Sequence, residues 1–243
     1  YVYWVMDDIT VPAGETLIID AGVRVKFSSG TGLTCNGTLI ANGTADAHVL
    51  FTSREPTPSP GDWDSVELYA ENNVISFLDY EYADDGFTGN GISGSTFDHI
   101  TIGGSLSTLA NGFYFDGSNS NNLTFTDNDV TVAKRIIYAE NANGSTVSGN
   151  TFGTGYEDYA IQMDDCDGCT FDGNEITGLP RTGIRSRYSE NSSFSNNVLD
   201  VKWHGFYCDY GDTLSFTDNT VTMSKEGNDW TYGIYFYSTE NAV

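Results

Sequence analysis

From Asn111 onward the sequence keeps returning to one phrase, and a chain that does so folds as stacked copies of one unit. An apolar pair opens each copy: Phe113 and Phe115, Ile136 and Tyr138, Ile161 and Met163, Ile184 and Ser186, Phe206 and Cys208, Ile234 and Phe236, at intervals of 22 to 28 residues. A polar turn follows, then a second motif that places an asparagine three residues, and an apolar residue five, after an aromatic or aliphatic one. It reads Phe125-Asn128-Val130, Val147-Asn150-Phe152, Phe171-Asn174-Ile176, Phe194-Asn197-Leu199 and Phe216-Asn219-Val221. Period-two alternation marks strands, and runs of about five residues between Gly, Asn and Asp turns leave no length for crossover helices.

Stacked coils of short strands put equivalent residues about 4.8 Å apart in columns. Asn128, Asn150, Asn174, Asn197 and Asn219 therefore predict a structural ladder in which each side-chain amide bonds to those above and below. The same phase extends upstream, more loosely, through Phe77-Tyr80-Tyr82 and Phe97-Ile100-Ile102. About ten coils result, a rod about 45 to 50 Å long. The expected fold is all-β and one continuous domain, with N-terminal coils over residues 1–62 and repeating coils over 63–243.

The opening stretch Asp8–Phe27 (DITVPAGETLIIDAGVRVKF), continued by Gly32–Thr44 (GLTCNGTLIANGT), Val49–Ser53 and Gly61-Asp62-Trp63-Asp64, resembles the first coils of secreted right-handed parallel β-helix proteins. From residue 111 the coils are similar to repeats shared by carbohydrate-binding surface proteins and sugar hydrolases of methanogenic archaea and bacterial envelopes. The resemblance implies a right-handed parallel β-helix, a solenoid that hosts lyases, hydrolases, adhesins and surface layers alike.

Charge narrows the partners. With 34 acidic against 10 basic residues the net charge is −24, which repels nucleic acid and anionic lipid and suits metal cations or a solvated surface. No apolar run reaches 18 residues, so no membrane span is expected. The first residue, Tyr1, and a composition rich in Ser, Thr, Asn, Gly and Tyr suit an exported protein at the cell surface or envelope, or a trimmed one. Sequons at Asn36, Asn42, Asn122, Asn143 and Asn191 permit glycosylation.

A β-helix enzyme would gather its chemistry on outward positions of neighbouring coils. The column three after the leading apolar residue reads Asp116, Ala139, Asp164, Arg187, Asp209, Tyr237, which sets Arg187 between Asp164 and Asp209 as an inter-coil ion-pair ladder. Tyr188 should stack on Tyr210, and Arg185 falls between Gln162 and Tyr207. On the other strands only Asp172 and Glu175 are acidic together. The polygalacturonase pattern fails: Asp164-Asp165 and His204-Gly205 lack that family's remaining elements, and Pro180-Arg181 with Arg185 does not match the pectate lyase arginine motif. His48 and His99 read as isolated turn or surface residues, no catalytic residue is assigned, and no metal site is expected.

Of four cysteines, Cys35 and Cys208 read as buried thiols. Cys166 and Cys169 share a polar turn where a loop disulfide is expected, with a bridge to a neighbouring subunit as the alternative. Asp164, Asp165 and Asp167 of that turn could hold calcium, the one cofactor considered. The chain stops after the first strand of a new coil, and Trp203, Trp230, Tyr232, Tyr235 and Tyr237 crowd its last coils. Two readings fit: an open end that pairs with another copy through these aromatics, or a truncated chain.

These observations make the leading expectation a non-enzymatic, extracellular structural protein that self-assembles into a sheath, surface layer or filament of the cell envelope. The alternatives are a carbohydrate-binding adhesin, with glycans as partners, and a polysaccharide lyase or hydrolase drawing on Asp172 and Glu175.

Overall fold

The computed structural model describes residues 1–103, 106–107, 110–117, 119–132, 134–154, 159–178, 180–224, 231–238 and 241. Alternation in the sequence becomes alternation in space. Ser193–Ser195 buries only Phe194, and Val198–Val201 buries Leu199 and Val201 while Val198 stays exposed. Each strand pairs in parallel with its equivalent one coil away, so Phe171 lies opposite Phe194 and Phe194 opposite Phe216. Their rings stack at 4.8 and 4.7 Å, the spacing of the strands that carry them.

Two sheets wall the solenoid. One takes a single strand per coil, ten in all from Ile9–Val11 to Tyr232–Tyr237, and the other takes seventeen, two from most coils. Among the described residues there is no helix. One buried cluster fills the interior from Val5 to Leu214, and it runs unbroken across residues 62 and 63, where Trp63 stacks on Phe27 at 4.1 Å.

The paired strands of the larger sheet meet at a sharp corner, made by one residue with positive φ in each coil. Asp127, Gly149, Gly173, Asn196 and Asp218 (φ 51°, 65°, 63°, 55° and 53°) occupy it, the residue types that tolerate a left-handed backbone. The bend turns the next side chain inward, and in these five coils it is asparagine. From Asn150 to Asn219 each Oδ1 accepts two N–H groups of the coil before it, the ladder partner's backbone N and its Nδ2. Asn128 Nδ2 to Asn150 and Asn150 Nδ2 to Asn174 are 2.8 Å, and Asn174 to Asn197 and Asn197 to Asn219 are 2.9 Å. Each Nδ2 also donates to a core-strand carbonyl, such as Asn174 to Val147 at 2.8 Å. The column ends upward at Ile100, whose backbone N donates to Asn128 Oδ1 at 2.9 Å.

A second polar column stands at another corner. Asn73, Ser95, Ser145 and Ser192 are all buried, and Asn73 Oδ1, Ser145 Oγ and Ser192 Oγ accept the amides of Leu39, Leu123 and Cys169. Cys166 and Cys169 form a disulfide and are buried beside it; Cys35 and Cys208 lie in the core, and burial pushes the Cys35 thiol up to about 12.

One register differs from the sequence expectation. Phe113 pairs with Ile137, Tyr114 with Tyr138 and Phe115 with Ala139, so the inward pair of that coil is Ile137 and Ala139 rather than Ile136 and Tyr138. Ile136 and Ile137 are both fully buried, so two consecutive isoleucines hide the phase of the alternation. Tyr138 faces out, stacked on Tyr114 at 4.9 Å.

Candidate functional site

The ten-stranded sheet turns its outer face to solvent and gathers there residues that lie far apart in sequence. Register places Tyr159, Thr182, His204 and Tyr232 in one column, and Tyr114, Tyr138, Gln162, Arg185, Tyr207 and Tyr235 in a second. The third runs Glu140, Asp164, Arg187, Asp209, Tyr237. Glu140, not Ala139, therefore precedes Asp164, which corrects the sequence column by the same one-residue slip.

Arg185 is the centre of this face. Its Cζ lies 4.8 Å from the Tyr159 ring and 5.5 Å from the Tyr207 ring, and its Nη2 bonds Asp209 Oδ2 at 2.9 Å. Arg187 stands between two carboxylates, 3.6 Å from Asp164 Oδ2 and 3.5 Å from Asp209 Oδ2, and Tyr188 stacks on Tyr210 at 5.1 Å. The network is incompletely paired: Gln162 Oε1, Asp164 Oδ1, Arg185 Nε and Asp209 Oδ1 are buried without a hydrogen-bond partner. Orphaned buried polar atoms are costly, and ligand sites are where such cost is retained. Burial, opposed by the Gln162 amide and Arg187, raises the Asp164 carboxyl above its ordinary range.

Beside Arg185 is a depression of about 230 Å³ lined by Tyr159, Arg181, Thr182, Trp203, His204 and Tyr207. Arg181 lies over the Trp203 ring at 4.6 Å. The His204 ring is 5.5 Å from Tyr207 and 5.9 Å from Tyr232, with Nδ1 3.4 Å from Thr182 Oγ1. Burial lowers the His204 pKa below the ordinary 6.5, so the imidazole is neutral at pH 7. Burial first, and then the Asp209 charge, raises the Tyr207 phenol, so it keeps its proton. A neutral imidazole and a protonated phenol, with ring centroids 5.5 Å apart, are in the protonation states that a general base and a general acid require.

Sequence reasoning missed His204, Tyr159 and Thr182 as neighbours. The signal was present: Thr182-Gly183, His204-Gly205 and Tyr232-Gly233 precede three successive inward pairs. A Cβ at Gly183 or Gly205 would come within 2.8 or 2.6 Å of a neighbouring backbone oxygen, which explains the first two of these glycines. Asp172 and Glu175, the acids considered for an enzyme, lie instead on the seventeen-stranded sheet. There Asp172 Oδ1 accepts Ser195 Oγ and Asn196 Nδ2, bonds that hold its pKa down.

The residues expected at an assembling end are spread over two surfaces. Trp203, Tyr232 and Tyr235 lie on the outer face described above, the last stacked on Tyr207 at 5.0 Å. Tyr237 is exposed at the foot of the acidic column, and Trp230 lies outside the described residues. Asn36, Asn42, Asn122, Asn143 and Asn191 are all exposed, although Asn143 Oδ1 accepts the Asp167 amide and Asn42 Oδ1 the Ser76 hydroxyl. The acids of the cysteine turn diverge: Asp164 faces Arg187, whereas Asp167 Oδ1 accepts the Glu190 amide. The histidines are less isolated than the sequence implied. His48 lies 3.0 Å from Asp79, and His99 joins Asp98 and Asp127 in a group whose ligand atoms lie within 4.8 Å of one another.

Several solved structures are similar to this chain. The Azotobacter vinelandii mannuronan C-5 epimerase AlgE6 A-module is 9% identical, with 97% of this chain and 88% of that one covered and a TM-score of 0.48. An alginate lyase from Paenibacillus sp. is 11% identical (95% and 99% covered, TM-score 0.32), and the Streptococcus pneumoniae surface protein and adhesin PfbA is 7% identical (97% and 91%, 0.31). No curated protein matches the chain. The expectation of a non-enzymatic chain is corrected: an epimerase and a lyase are among the solved structures that this chain resembles, and two neighbouring coils bring His204, Tyr207 and Arg185 onto one face, a grouping that the sequence columns had not shown. Among the described residues no helix is long and apolar enough to cross a membrane. The parallel coils, the corner asparagines and a match to the right-handed beta helix region over residues 82–243 together show that this chain belongs to the right-handed β-helix family.

Proposed function

We propose that this is an extracellular protein that binds an acidic polysaccharide on the outer face of its ten-stranded sheet, where His204 and Tyr207 transfer protons on it. The observation that carries the reading is the placement of charge. Lys134, Arg135, Arg181, Arg185, Arg187 and Lys202, six of ten basic residues in a chain of net charge −24, lie on this sheet or on the turns that feed its strands. The acidic stretches that make up most of the remaining surface repel a polyanion, which favours its approach to this face. The rings of Tyr159, Trp203, Tyr207 and Tyr235 offer flat apolar surfaces to sugar rings.

The reaction class this set fits is proton abstraction next to a sugar carboxylate. Cations neutralise the carboxylate and acidify the adjacent C–H, neutral His204 takes the proton, and Tyr207 supplies one on the opposite side or to the leaving oxygen. The polymer-forming reading has no comparable observation behind it, because three of its aromatic residues are engaged on this face.

Purified protein incubated with polyuronates and with neutral glucans tests the reading. Binding of the acidic polymers, with unsaturated ends or inverted sugar centres detected by NMR, supports it; equal binding to both, or to neither, sinks it. The pH profile follows from the direction of the His204 shift. A depressed pKa keeps the base neutral as pH falls past 6.5, so kcat/KM should be level at neutral pH and decline only in more acidic buffer. A decline beginning above 6.5 would rule out His204 as that base.

A further inference from the structure

The three basic residues of the first coils form a group of their own. Arg24 and Lys26 project from the strand Arg24–Phe27, beside Val2 and Trp4 of the neighbouring strand Val2–Val5. Arg54 follows the strand Val49–Ser53 and brings its guanidinium to 5.1 Å from the Trp4 ring. With Glu55 and Pro56 they line a groove of about 670 Å³, a size that holds a short oligosaccharide.

The charge here is uncompensated. Among the described residues no ion pair involves Arg24, Lys26 or Arg54, and Glu55 is the one carboxylate of the lining. The acids that continue the same columns are already engaged: Asp79 by His48 at 3.0 Å, and Glu81 by the Thr52 hydroxyl at 2.9 Å. The wall is also stiff. Pro56, Pro58 and Pro60 fix three backbone angles in seven residues of loop, and Asp62 Oδ2 ties its base by accepting Ser53 Oγ at 2.7 Å and the Ser59 amide at 2.9 Å. A preorganised wall lowers the entropic cost of binding. The Trp4 residue is 64% exposed, a large ring held in the open beside three cations.

We propose that this groove is a second ligand site, taking an anionic sugar whose carboxylate or sulfate meets Arg24, Lys26 and Arg54 while its ring lies against Trp4. The site stands on a different sheet from the one carrying His204, and the proposal does not rest on the function assigned to that face.

Indole NMR on protein labelled with nitrogen-15 at tryptophan separates the two surfaces, because Trp4 reports the groove and Trp203 the other face. The Trp4 resonance is assigned from Trp4→Phe. Polygalacturonate, dextran sulfate and neutral dextran are the probes. A shift of the Trp4 resonance with polygalacturonate identifies a carboxylate site, and one with dextran sulfate a sulfate site. The paired variant Arg24→Gln with Lys26→Gln should weaken that binding at least about tenfold, while Arg24→Lys with Lys26→Arg retains most of it. Neither side chain makes a hydrogen bond among the described residues, so both variants should fold, which thermal melts check. A Trp4 resonance unmoved by both charged polymers, moved equally by dextran, or titrating unchanged in the glutamine variant overturns the proposal, whatever Trp203 shows.

Discussion

Alanine at position 174 is expected to lower the melting temperature by about 6 to 20 °C, the largest effect of any single substitution outside the apolar core. Asn174 is fully buried at mid-ladder, and its Oδ1 accepts both the backbone N (3.2 Å) and the Nδ2 (2.8 Å) of Asn150. Truncation leaves those donors, the Val147 carbonyl and one lone pair of Asn197 without partners in a space closed to water. At ~1–3 kcal/mol for each orphaned group, partly offset by relaxation, the loss is about 3–5 kcal/mol. Asn219 is the internal control. It ends the described column and is only half-buried, so water can replace what Asn219→Ala removes. Thermal unfolding of the two variants side by side decides the matter: equal losses would mean that the column is not the cooperative element its geometry describes.

His204→Ala is expected to reduce kcat on an acidic polysaccharide by about 10²–10⁴-fold, the usual contribution of a positioned acid or base, with KM little changed. The imidazole is half-buried and among the described residues its one hydrogen-bond partner is Thr182, so the fold is expected to survive its removal. Tyr207→Phe isolates the acid, because the ring that stacks on Tyr235 and faces Arg185 remains while the hydroxyl goes. Full activity in both variants, with binding intact, would leave the face a recognition surface and remove the proton-transfer role.

The ladder was legible in the sequence because a buried amide that bonds its own copies must recur at the coil period, and Asn128 to Asn219 do so with nothing else competing for the position. The phase was harder to read wherever chemistry did not force it. Ile136 and Ile137 both satisfy an inward slot, and one residue of slip moved Glu140 out of the column that holds Asp164 and Arg187. The columns through Arg185 and Arg187 were legible, but the Tyr159, Thr182 and His204 column beside them was not, for another reason. Its members come from coils whose spacing varies, and a family motif seeks residues close in sequence, whereas Tyr159, Arg185, His204 and Asp209 meet only through pairing. The groove by Trp4 depends on a loop reaching back over two coils, which no periodicity encodes.

The unbroken parallel register carries a consequence for how this rod forms and fails. Each ladder bond links residues only 22 to 24 apart, so a coil needs one formed neighbour as a template and nothing from the far end. Assembly of the chain is then a zipper, with growth from any nucleus and fraying from both tips inward. Protection against amide exchange should rise smoothly toward the middle turns instead of switching on at a boundary.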